Sequence, residues 1–261
     1  METHAHHLHK APGKNFWHYF FEFFMLFLAV SLGFFVENLR ERHVENERAT
    51  ELAKSFYAEL KADSVIIQRV FQNRAMKDSA FTYVKNYYRD SSIVNCSKQF
   101  SINFLYAYVT HGLTLFDPND AVLQQLIHSG SLRYFKSQEL QTLADKLSIQ
   151  ITKVRFRNEI EWNYTNDYLL PFLMKHADQQ WFDELGKRDT SLLVALHKYE
   201  NSSDVIPFQL SKLKEFDTTD AINRTGIYQI MSKSTWQNAY TSYFKLNMQL
   251  LESLRKEYHL E

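Results

Sequence analysis

The pattern of apolar and polar positions divides the chain into three parts. From Phe16 to Val36 the sequence FWHYFFEFFMLFLAVSLGFFV runs for 21 residues with a single carboxylate, Glu22, and no lysine or arginine. A helix rising about 1.5 Å per residue covers roughly 30 Å over such a length, the thickness of a bilayer's hydrocarbon core. The run is too long for the apolar core of a signal peptide, and the charged residues that follow, from Glu37 to Arg42, offer no small-residue cleavage pattern. Trp17 and Tyr19 at one end and Arg40 and Arg42 at the other suit the two membrane interfaces. We therefore expect a retained transmembrane helix over 16–36, a flexible tail over 1–15 and a helical soluble body with a stalk over 37–261.

Beyond the span the apolar positions adopt helical spacing. Leu52, Phe56 and Leu60, then Ile67, Val70 and Phe71, recur at three- and four-residue intervals, which predicts an amphipathic stalk of coiled-coil type running on from the membrane helix as far as Phe71. A second helical stretch is expected to end near Asp90, and a third, about Phe100 to His111, has Gly112 at its C-cap position. Asp117-Pro118-Asn119-Asp120 reads as a turn and N-cap for a short helix, Ala121 to Ser129, closed by Gly130. Ser137 is placed to cap a longer helix through Leu140, Leu147 and Val154 toward Tyr168, which Pro171 should end or kink. A short helix about Leu192 to Tyr199, a polar break at 201–204 and a closing helical hairpin follow. That hairpin is expected to be capped by Thr218 or Thr219 and to finish with a helix from about Thr235 to Tyr258.

Composition agrees with an all-α fold: the 261 residues include only 6 Gly and 4 Pro, and no proline falls between Pro12 and Pro118. With 30 basic and 30 acidic residues the formal charge is zero, so there is no basic field to hold nucleic acid, and the helix-turn-helix look of 121–146 is generic to helical proteins. The 21 Phe and 15 Tyr predict a core filled by rings packed edge to face. Cys96 stands alone, which excludes an intramolecular disulfide.

Reactive constellations are missing from the sequence. No histidine has a glutamate three residues before it, as a di-iron bundle requires, and there is no H-E-x-x-H, phosphate loop, G-x-G-x-x-G or G-x-S-x-G. His111, His128 and His176 stand singly and read as surface or capping histidines. His4, His6, His7 and His9 supply imidazoles on a tail with no fold to set their geometry, so they read as solvated rather than metal-binding. The chain is read as a non-enzyme without a cofactor.

The polar and small residues of the span define its candidate site. Glu22, Ala29 and Val36 are seven apart, with Leu26 and Gly33 beside them, so one face carries a carboxyl and a small-x-x-x-small pair. His18 precedes Glu22 by one turn on that face and can pair with it. The expected partners are the lipid bilayer, a second copy of the chain through this helix, and an unidentified protein.

Two stretches resemble a family. EFFMLFLAVSLGFFVENLRER, with Glu22 opening the apolar run and Glu37-Asn38 leaving it, is similar to the anchor of a family of uncharacterised bacterial single-pass membrane proteins. AVLQQLIHSGSLRYFKSQELQTLADKL resembles a block of the same family, in which a short helix ends in Ser129-Gly130, an apolar pair follows, and a helix begins at Ser137. The resemblance covers most of the chain and implies a helical domain anchored in the bacterial inner membrane, with no assigned activity. The histidine-rich tail departs from the longer basic segment more usual there.

The leading expectation is a membrane-tethered interaction or scaffold protein without catalysis. The alternatives are a subunit of an ion-driven membrane complex that uses Glu22 and a membrane-tethered sensor. Four basic residues after the span (Arg40, Arg42, Arg48, Lys54) against two before it (Lys10, Lys14) favour a cytoplasmic body.

Overall fold

Apolar periodicity becomes helix along the whole chain. The computed structural model describes residues 16–135 and 137–260 and is 83% helical, with no strand among the described residues. The chain divides after Glu51. Up to that point it is a single helical segment, part of α1 (Phe16–Asp90), and every residue from Phe16 to Val44 is exposed. The span is therefore helical and uncovered. The histidine tail lies outside the described residues.

From Leu52 onward, α1 supplies a spine for two apolar cores. Its Phe56, Leu60, Ile67 and Val70 pack with α3 (Ala121–His128), α4 (Gln138–Tyr164) and α9 (Thr241–Tyr258). Further along, Phe81, Val84 and Tyr88 pack with α2 (Lys98–Tyr108), α5 (Leu170–His176), α6 (Gln179–Gly186), α7 (Leu192–Glu200) and the start of α8 (Thr218–Ser234). The expected break after Phe71 is absent, because no proline or glycine between Phe71 and Tyr88 removes a backbone donor or loosens the helix. Rings fill much of both cores. Trp181 with Phe208 (5.4 Å, 87°) and Phe116 with Tyr243 (5.0 Å, 61°) meet edge to face, whereas Phe104 and Tyr108 are tilted.

Local signals placed several helix ends as expected. Ser137 Oγ accepts the amide of Leu140, and Gly130 turns left-handed at φ 67°, the conformation that a glycine adopts most readily. Others differ. Gly112 lies inside a 3₁₀ turn, His111–Thr114, rather than at a left-handed cap. Asp217, not a threonine, caps α8 by accepting from Thr219 and Asp220. The predicted closing hairpin is one helical run from Thr218 to Tyr258, passing through a π-helical turn at Thr235–Tyr240. Likewise α4 continues into α5 through a second π turn, Thr165–Leu169, and Pro171, directly after that turn, does not end the helical run.

Candidate functional site

The four membrane-helix candidates share one face of α1, all exposed. His18, Glu22, Ala29 and Gly33 follow at intervals of four, seven and four, and a methyl group placed on Gly33 would meet nothing within 4 Å. Around them the rings stack along the helix, Phe20 on Phe24 at 6.3 Å and Phe23 on Phe27 at 6.4 Å. This arrangement displays an apolar surface with one narrow, small-residue stripe.

A second site lies inside 52–261, between the two apolar cores. The apolar face of α1 that carries Ile67 and Val70 resumes at Phe81, and between them it presents Arg74 and Lys77, each only 2% exposed. Arg74 faces Glu161 of α4 through bonds of 3.1 and 3.2 Å, with 1% and 0% of the two side chains exposed. Its remaining N–H groups reach the carbonyl of Thr114 (2.8 Å), Ser232 (carbonyl 3.0 Å, hydroxyl 2.9 Å) and the Tyr240 hydroxyl (3.1 Å). The guanidinium also lies 4.4 Å from the Tyr240 ring centroid. One arginine thus ties α1 to α4, to α8, to the 3₁₀ turn and to the π turn that ends at Tyr240. The π turn aims that tyrosine: its hydroxyl donates to Asn158 Oδ1 (2.5 Å) and accepts the Phe116 amide (3.1 Å).

Proton positions follow from the network. The single proton of the Tyr228 hydroxyl goes to the Glu161 carboxylate (3.2 Å), so the 2.7 Å bond between Tyr228 Oη and His111 requires that His111 Nδ1 donate. His111 is then neutral with an acceptor at Nε2, which is buried and without a partner. Burial, with the Lys77 and Arg74 charges beside it, holds its pKa down at about 4. Lys77 lies over the rings of Tyr228 (5.1 Å) and Phe81 (5.6 Å), and burial lowers its pKa to about 7 despite the Glu161 charge.

The expectation of surface or capping histidines is corrected for two of three. His128 is exposed, but His111 is buried in this network, and His176 is 4% exposed, bonded through Nδ1 to the Ser211 carbonyl at 3.0 Å. Sequence reading missed Arg74, Lys77 and Glu161. The signal was present for the first two, since positions 67, 70, 74, 77, 81 and 84 continue one helical stripe and two of them carry charge.

Arg74 has its donors engaged, and among the described residues no group of three or more His, Cys, Asp or Glu side chains is placed to hold a metal ion. Two cavities within 52–261 open elsewhere. One of about 590 Å³, lined by Val109, Leu173, Met174, Phe182 and Leu192, adjoins another of about 220 Å³ between Leu105, Leu113 and Leu193. Both are mainly apolar. Comparison of the chain with protein families, with curated proteins and with solved structures finds no match.

Proposed function

We propose that this chain is a single-pass, membrane-tethered interaction module without catalytic activity, in which residues 16–36 cross the bilayer and a stalk leads to a helical-bundle body that meets a protein partner. The reading rests on one observation above all: no residue of the 18-residue apolar window within α1 is buried, while the residues from Leu52 onward bury two apolar cores of their own. A contiguous exposed apolar surface of that size is the mark of a membrane or protein interaction site. The resemblance to bacterial single-pass proteins supports the inner membrane as the location, and the excess of basic residues after the span supports a cytoplasmic body. The groove around Met174, itself 79% exposed, offers an apolar surface to such a partner.

Alkaline carbonate washing of membranes tests the anchor: the chain is expected in the pellet, and its release would end this reading. Pull-down of the full chain from detergent extracts tests the module, with Met174→Glu as the control expected to lose whatever the wild type captures. A chain that pellets but captures nothing reproducible under several growth conditions would leave an anchor without an interaction role.

A further inference from the structure

We propose that α1 pairs with α1 of a second copy of this chain in a parallel, in-register seam that begins in the membrane and continues to Thr50. The inference rests on the anchor reading, which orients both copies alike and so makes the pairing parallel.

Along α1 the residues Glu22, Ala29, Val36, His43 and Thr50 recur every seven positions, and Leu39 and Asn46 fall three after Val36 and His43. A seven-residue repeat keeps one seam facing a partner when two helices coil around each other. All seven positions are exposed except Thr50, which is half-buried. His43, Asn46, Glu47 and Thr50 stand at i, i+3, i+4 and i+7 and line an open groove. Those four spacings form the hole that receives a side chain of a facing helix. Within the membrane Ala29, with Gly33 beside it, lets two backbones approach and gain packing that lipid tails do not match.

Charge selects the second copy over any other apolar helix and sets the register. With Val36 and His43 as a positions, Arg42 is a g position and Glu47 the following e position, the two that meet across a parallel pair. They are opposite in sign, and the two-fold symmetry makes the contact twice. A slip by one heptad sets Arg42 against Arg40 or Lys54 instead, like against like. Within one chain Arg42 makes no ion pair among the described residues, and Glu47 meets only His43, at 3.3 Å with both side chains largely exposed.

Single cysteines in a Cys96→Ser background of the full chain, oxidised in isolated membranes, test the seam. Disulfide-linked dimer is expected at Leu39→Cys, His43→Cys and Asn46→Cys in at least about five-fold higher yield than at Glu41→Cys, Glu45→Cys and Arg48→Cys, which point away. Adding Arg42→Glu to the Asn46→Cys chain should cut the yield, Glu47→Arg should do the same, and the two together should restore it. Equal yields at all six positions, no dimer at any, or no restoration by the double reversal would overturn the proposal. Carbonate extraction of the same samples separates the two readings: a chain that stays in the pellet without crosslinking loses the seam and keeps the anchor, and a released chain loses the anchor.

Discussion

Arg74 and Glu161, 87 residues apart, meet through two hydrogen bonds of 3.1 and 3.2 Å between side chains with 1% and 0% exposure. A pair this deep is costly to break, because the surviving charge is left in an apolar interior. Glu161→Ala should destabilise the protein by about 3–5 kcal/mol, since it strands the guanidinium and the Tyr228 hydroxyl together. The double variant Arg74→Met with Glu161→Leu should cost clearly less than the sum of the two single changes. Urea unfolding of the full chain in detergent, followed by tryptophan fluorescence, measures both. Additive losses would show that the two side chains act independently.

Lys77 makes stability rise with pH. Its ammonium has a pKa of about 7 in the fold against 10.5 when free. Between those values the unfolded chain binds more protons than the folded one, so stability climbs at up to about 1.4 kcal/mol per pH unit from pH 7 toward 10. Lys77→Met keeps the length of the side chain and removes the titration. The expected result is a higher melting temperature at pH 7 and a flatter slope above it, and an unchanged slope would assign the pH dependence to another group.

His111 acts at the acid end in the same direction. Its pKa of about 4 in the fold lies below the free value of 6.5, so acidification from 6.5 to 4 protonates the unfolded chain first and destabilises the fold. Nitrogen NMR of the imidazole should show the neutral Nδ1–H form persisting at pH 5. An imidazolium already present at pH 6 would contradict the network described for Tyr228.

Glu59 of α1 caps a helix it is not part of. Its carboxylate accepts the amides of Val122 (2.9 Å) and Leu123 (3.4 Å) at the start of α3, while Asp120, in the capping position itself, is held by Arg155. Glu59→Ala should cost about 1–2 kcal/mol and speed hydrogen exchange at both amides. Glu59→Gln, which keeps one acceptor, should do less of each. Protection that survives in Glu59→Ala would mean that the helix end is stabilised otherwise.

Sidedness calls for an engineered thiol. Burial pushes the Cys96 pKa up to about 11, so little reactive thiolate exists at neutral pH. Val205 is 67% exposed, and Val205→Cys in a Cys96→Ser background offers an open site. A membrane-impermeant maleimide should label it only after cells are lysed, and labelling of intact cells would put the body outside.

Neighbours within one or two turns of chain made much of this protein legible. The uninterrupted apolar run from Phe16 to Val36, the helical spacing of Leu52 to Phe71, the Ser137 cap and the left-handed Gly130 each depend on residues close together, so period and cap chemistry are sufficient to find them. The tertiary structure decided what distant residues do to one another. Tyr240 is aimed by a π turn at an arginine 166 residues earlier, and the same arginine reaches Ser232 across 158. A turn that widens to satisfy such a contact has no local mark, which is why the run from Thr218 to Tyr258 reads as a hairpin in sequence and forms one helix in the fold. Arg74 and Lys77 were visible as charges on an apolar stripe. Only the packing of α4 and α8 against that stripe gave one of them a carboxylate and left the other over two rings, because pairing a buried charge depends on which side chains the fold brings within about 3 Å.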